Sequence, residues 1–194
     1  MARVSDPFTL PCGLELKNRV CKPAMTENLA DPLAQATRRH CVLYRTWAEG
    51  GSGMLLTGNV QIDRRYLERP GNICIDGPQS DYAKALLCNL ADAGSVNGSS
   101  IWVQLGHAGR QSNGKVNLQP VGPSAVPLNG IPSFYIGKPS EMTTEMIESL
   151  PARFALAAKA CQQAGFGGVQ VHAAHGYLLS SFLNPIANRR TDQW

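Results

Sequence analysis

Two histidines and a tyrosine stand close together near the C-terminal end, in His172-Ala173-Ala174-His175-Gly176-Tyr177. The run before them, Gly168-Val169-Gln170-Val171, is short and apolar, as a buried strand is. Two imidazoles three residues apart, just past a strand, can aim two N–H donors at one oxygen. Such donors stabilise negative charge as it develops on a carbonyl oxygen. Tyr177 adds a phenol able to act as a general acid. Donors plus an acid suit delivery of a proton to a carbon beside a polarised carbonyl. No side chain supplies hydride, so a reduction here needs a redox cofactor. A His-x-x-His pair could also hold a metal, but no third ligand at convincing spacing accompanies it. A lone pair of this kind could equally be packing.

Polar residues also follow three earlier apolar runs. The first run ends in Pro23-Ala24-Met25-Thr26, the second in Thr57-Gly58-Asn59, and the third in Gln104-Leu105-Gly106-His107-Ala108-Gly109-Arg110. Hydrogen-bonding side chains thus gather at one end of every run, as a ligand site at the mouth of a parallel barrel requires. Taken singly, Gln104 is an ordinary strand-end residue, and His107 and Arg110 are loop surface. Arg189-Arg190 has the look of a solvated helix end.

The elements that must position these residues alternate. A hairpin is expected from Phe8-Thr9-Leu10 and Leu14-Glu15-Leu16 around Pro11-Cys12-Gly13. Strands are expected at 19–25, 54–57, 100–105 and 168–172, and helices at 37–50, 80–93 and 143–164, with another beginning at Tyr177. Thr144 is the expected cap of the third helix, with Glu145 and Glu148 near its first turn. A long loop rich in Gly, Pro and Asn runs from 106 to about 140. Short apolar strands joined by helices imply a parallel α/β sheet with right-handed crossovers. A doubly wound sheet and part of a (β/α)8 barrel both fit. The rhythm alone leans to the doubly wound form, since four strands complete a small sheet but only half a barrel. A dinucleotide fold needs Gly-x-Gly-x-x-Gly after its first strand, and Gly51-Ser52-Gly53 precedes a strand instead.

The bulk numbers exclude several classes. With 194 residues and 43% hydrophobic content the chain can bury a core, and 16% charged residues argue against disorder. A net charge of +4 spread along the chain gives no basic stripe for nucleic acid. No apolar run reaches the length of a membrane span, and the first residues hold no signal-peptide core, so a cytoplasmic location is expected. The six cysteines form no Cys-x-x-Cys and are expected to be reduced and largely buried.

The ordered motifs resemble one family. Asn18-Arg19-Val20 through Thr26, Trp102-Val103-Gln104-Leu105, Gly106-His107-Ala108-Gly109-Arg110 and the stretch from Phe166 through Asn188-Arg189-Arg190-Thr191-Asp192 are similar, in the same order, to the N-terminal half of old yellow enzymes. The resemblance implies the N-terminal half of a TIM barrel, about four βα units in one domain over 1–194. It implies FMN as cofactor and NAD(P)H as electron donor, for an ene-reductase acting on α,β-unsaturated carbonyls. Pro23, Ala24, Met25 and Thr26 would lie along the flavin edge, with Thr26 hydrogen-bonding the ring. Gly58 would let the ring approach closely, and Gln104 would bind its pyrimidine side. His172 and His175 would hold the substrate oxygen, His172 also touching the flavin, and Tyr177 would protonate the α-carbon. Ala24 stands where many relatives have a second proline, and Asn28 where some have a substrate-contacting tyrosine. The family's phosphate-binding loops and its phosphate- and flavin-binding arginine set lie beyond the fourth strand. Two readings follow: an FMN enzyme, or a flavin-free homologue serving as a binding module or proton-transfer catalyst. Unpaired edges on a half barrel would favour self-association.

Overall fold

The computed structural model describes residues 1–132 and 134–194. The chain opens with the expected hairpin. Strands β1 (Phe8–Thr9) and β2 (Glu15–Leu16) pair antiparallel, Phe8 opposite Leu16. Next come β3 (Cys21–Lys22), α1 (Arg38–Glu49), β4 (Met54–Leu56), β5 (Val60–Gln61) and α2 (Asp81–Gly94). After these lie β6 (Ser100–Gly106), β7 (Val121–Gly122), β8 (Ser140–Glu141), α3 (Thr144–Glu148), α4 (Leu150–Gln163), β9 (Gly168–Val171) and α5 (Leu178–Phe182).

All pairings of the main sheet are parallel. β3 pairs with β4, β4 with the start of β6, and β9 with the middle of β6 along its other edge. β5 carries on beside the last residues of β6, Val60 opposite Leu105. The long strands therefore add in chain order, β3-β4-β6-β9, with no reversal. A doubly wound sheet reverses direction at a switch point. This order corrects the leaning drawn from rhythm alone and is that of a barrel half. Right-handed crossovers stepping in one direction place their helices on one face. Leu55, Ile101, Val103 and Leu105 point to that face and are buried in the core with Tyr44, Leu87, Leu90 and Ala157. The alternate residues, among them Trp102, Gln104, Gln170 and His172, point to the other face, the barrel interior.

Local chemistry sets the helix ends. In α1, Thr37 and His40 form a reciprocal cap, the Thr37 N–H donating to His40 Nδ1 at 3.0 Å. Ser80 Oγ accepts from the Ala83 N–H to start α2. The single helix expected over 143–164 is two. Pro151 has no N–H to donate and is tolerated only in a first turn, so α3 stops at Glu148 and α4 restarts at Leu150. Thr143, not Thr144, is the cap, its Oγ1 accepting from the Met146 N–H. The apolar run at 19–25 is strand only at Cys21–Lys22. All six cysteines are free, but only Cys74 and Cys161 are buried, and Cys12 and Cys21 are exposed. The expectation of largely buried thiols is corrected accordingly. Among the described residues no helix is long and apolar enough to cross a membrane.

Candidate active site

The structure assembles the three residues of the last motif. Just past β9, the His172 N–H still donates to the Leu105 carbonyl of β6 at 2.8 Å, which fixes the ring on the interior side. The chain then leaves the sheet. His175 takes a φ of +59°, a left-handed conformation unusual for a residue with a Cβ. Gln111 Nε2 holds it by donating to its carbonyl at 2.8 Å. The Tyr177 N–H donates to the Ala174 carbonyl at 3.2 Å, closing a turn that leads into α5. The His172 ring ends 5.2 Å from the His175 ring and 5.2 Å from the Tyr177 ring.

Burial sets the charge states. Loss of solvent lowers the pKa of His172 below the ordinary histidine value, and the neighbouring His175 adds to it. His172 is therefore neutral near pH 7 and carries one N–H to donate. The Tyr177 phenol is pushed up, first by burial and then by the negative charge of Glu68, while Asn59 and Arg69 pull it the other way. It remains a protonated acid.

A polar chain runs from Tyr177 to the end of β3. Asn59 Nδ2 donates to Thr26 Oγ1 at 3.4 Å, and the Thr26 hydroxyl donates to Glu68 Oε2 at 3.2 Å. Glu68 is nine-tenths buried and paired with Arg69, Nη2 to Oε1 at 2.5 Å. Thr26 thus joins the same cluster as Tyr177. Gln104, also buried, donates from Nε2 to Gln170 Oε1 at 2.7 Å, one interior position before His172 on the neighbouring strand. Pro23 and Met25 are exposed, while Ala24 and Thr26 are half-buried, so this edge is open to a ligand.

Gly58 has a reason to be glycine within the protein itself. A Cβ there would lie 1.9 Å from the Met25 carbonyl oxygen and 2.5 Å from Glu27. The space that only glycine leaves is filled by the protein's own chain, so room for a flat ring is not what requires glycine. His107 also turns inward. It is buried, stacks on Tyr66 at 5.1 Å and accepts from the Gly109 N–H through Nδ1 at 3.0 Å.

Glu68 and Gln111 escaped the sequence reading. Glu68 lies in a polar loop with no periodicity, and only its contacts with Thr26 and Arg69 reveal it. Gln111 adjoins the Gly109-Arg110 pair and could have been noticed as its extension. Arg190 was misread as well. Its side chain is buried, donating to the Pro123 and Met142 carbonyls at 3.0 and 2.7 Å and pairing with Asp192.

Comparison with known proteins agrees with this geometry. Residues 5–194 match the model of the NADH:flavin oxidoreductase / NADH oxidase family. The NADH-dependent flavin oxidoreductase iliE of Neonectria sp. is 39% identical over 97% of this chain, which spans 26% of that protein. The protein of the same name from Hypocrea jecorina is 35% identical over 98% of the chain, spanning 51% of its length. Morphinone reductase in complex with tetrahydroNAD superposes with a TM-score of 0.88 at 27% identity, covering all of this chain and 55% of that one. The old yellow enzyme homologue from Zymomonas mobilis gives 0.86 at 26% identity, covering 99% and 54%. The strand order is thus that of the N-terminal half of a (β/α)8 barrel, and the chain belongs to the NADH:flavin oxidoreductase / NADH oxidase family.

Proposed function

We propose that this chain forms, as one domain, the substrate- and flavin-edge half of an FMN-dependent oxidoreductase that reduces the activated C=C bond of α,β-unsaturated carbonyls with NAD(P)H. The observation that carries this reading is the convergence of His172, His175 and Tyr177 at the end of one strand. Among the described residues no hydrogen bond occupies a ring nitrogen of either histidine.

The donor set fits a flavin ring. An isoalloxazine carries acceptors and one donor along its polar edge. The Thr26 hydroxyl, the Gln104 amide and the His172 imidazole stand at neighbouring strand ends, beside the open edge of Pro23, Ala24 and Met25. Lys22, the cation at the end of β3, is committed to Tyr44, Glu27 and the Leu56 carbonyl. These strand ends therefore supply ring partners rather than a phosphate anchor.

Bound FMN, reduced by NAD(P)H, supplies the hydride. The chain's own residues do the rest. His172 and His175 each present an N–H to the substrate carbonyl oxygen and stabilise the charge that builds there as the β-carbon is reduced. Tyr177 transfers its phenolic proton to the α-carbon, and burial with Glu68 keeps that proton in place until it is needed. Gln111 holds the His175 backbone in its left-handed turn, so the second donor is preorganised.

The test is direct. Purified protein titrated with FMN is expected to take up flavin, and the holoprotein to oxidise NAD(P)H when a simple cyclic enone is added. Tyr177→Phe is expected to keep flavin uptake while losing most enone reduction. A protein that binds no FMN overturns this reading in favour of flavin-free proton transfer.

A further inference from the structure

Arg110 lies in the short helical turn Gly109–Gln111 just after β6. It is 8% exposed, yet among the described residues its guanidinium makes a single hydrogen bond. Nη1 donates to the Val126 carbonyl at 3.2 Å, and buried Nε has no partner among the described residues. Among the described residues no carboxylate lies within ion-pair distance of it. Arg190 presses on the same loop and shows the contrast. It satisfies its guanidinium with two carbonyls, Asp192 and Glu141. Burying an uncompensated charge is costly, so a site that keeps one implies an anion to complete it. Loss of solvent also works against the charged form of Arg110.

The space beside it suits such an anion. Arg110 borders a cavity of about 300 Å³ that is also lined by Val126, Pro127, Asn129, Ile186 and Arg189. Arg189 is exposed at the rim and engages Ser124 through its backbone N–H, with no side-chain hydrogen bond or ion pair among the described residues. Two guanidiniums, one buried and one exposed at the mouth, plus an amide make a receptor for a planar or tetrahedral oxyanion. The position also matters for the catalytic cluster. Arg110 is flanked by Gly109, which packs on Leu178 at the start of α5, and by Gln111, which holds His175.

We propose that the Arg110–Arg189 cavity binds the carboxylate or phosphate group of a small molecule, and that its occupancy firms the turn that positions His175. The site lies outside the substrate and flavin positions proposed above and does not depend on them.

Thermal unfolding of the full chain at constant ionic strength tests it, with inorganic phosphate in one arm, acetate in another and chloride as reference. Phosphate or acetate is expected to raise the melting temperature above chloride in a saturable way, and the more effective of the two names the ligand's head group. Calorimetric titration with that anion should give affinity roughly tenfold weaker in Arg189→Gln, the loss of one charge-assisted contact, and none in Arg110→Gln. If Arg110→Gln fails to fold, the exposed Arg189→Gln still decides. No stabilisation by either anion, or equal stabilisation of wild type and Arg189→Gln, overturns the proposal.

Discussion

Two tyrosine–carboxylate clusters flank the segment that leaves β3, and they are built to opposite ends. On the helix side, the Tyr44 hydroxyl donates to Glu27, Lys22 Nζ donates to Tyr44 at 3.3 Å and to the Leu56 carbonyl at 2.8 Å, and the Gly58 N–H donates to Glu27 at 3.0 Å. Lys22 also lies over the Trp47 ring at 4.4 Å. Lys22 and Glu27 are 8% and 10% exposed, and the Lys22 ammonium and Glu27 Oε1 are matched from within. On the site side, Tyr177 feels Asn59 and the charge of Glu68 but stays half-buried beside two imidazoles whose ring nitrogens make no hydrogen bond among the described residues. The same chemical groups serve two purposes. Where the charges are matched within the chain the cluster holds the fold, and where capacity is left over it can hold a ligand.

The largest effect expected from breaking this contrast is on the closed cluster. Lys22→Ala leaves Glu27 buried without its counter-charge, which costs about 3–5 kcal/mol. Urea unfolding should show it as a lower midpoint at an unchanged slope. Lys22→Met with Glu27→Gln removes both charges and should recover most of that loss. If the double variant is no more stable than the single one, saturation is not what stabilises this cluster.

The open cluster should respond the other way round. His172→Ala removes one of the two oxyanion donors, a loss of about 10²–10³ in kcat. Its stability should stay within about 1 kcal/mol of wild type, because no hydrogen bond to the ring is broken. Steady-state enone reduction and a urea melt on the same preparation check both halves. A destabilisation as large as that of Lys22→Ala would make His172 a structural residue.

Histidines sharpen the comparison through pH. His40 and His107 are both buried and both pushed down to about 4, chiefly by loss of solvent. In the unfolded chain they titrate near the ordinary 6.5. The folded state therefore binds fewer protons between these values. Their stabilising contribution is complete above about pH 6.5 and is lost as pH falls toward about 4, at roughly 1.4 kcal/mol per unit for each histidine. Denaturation midpoints at pH 7 and pH 5 should show the fall, and His107→Gln should flatten it. A midpoint that rises on acidification contradicts the sign.

These particulars show how much could be read from residues alone. The His172-to-Tyr177 motif was legible because local spacing past a strand already limits where its rings can go. The parallel strands were legible from short apolar runs, but their order was not. Rhythm cannot tell β3-β4-β6-β9 from a sheet that reverses, and the family resemblance rather than periodicity pointed to the barrel. Pro151 was visible as a break and was passed over inside a strong helical pattern. The Lys22–Glu27–Tyr44 cluster was invisible, since residues 22 and 44 meet only once α1 has packed across β3. Gly58 was noticed for a sound reason, a close approach, but the partner is the Met25 carbonyl. Long-range polar pairing carries no periodic signal, and it accounts for most of what was missed.

Glu68 offers the smallest and most discriminating effect. Its charge helps hold the Tyr177 phenol above its ordinary pKa, second only to burial, and it accepts the Thr26 hydroxyl proton. Glu68→Gln keeps the shape and removes the charge, so the Tyr177 pKa falls. The alkaline limb of the rate profile, where the phenol loses its proton, should move to lower pH with little change in the rate at neutral pH. Arg69 acts on Tyr177 with the opposite sign. Arg69→Gln should move the same limb to higher pH. A merely structural Glu68 would lower the rate at every pH and leave the limb in place. Opposed shifts from two residues that touch each other can arise only if their charges are felt at Tyr177, which would make this open cluster an electrostatic device as well as a binding one.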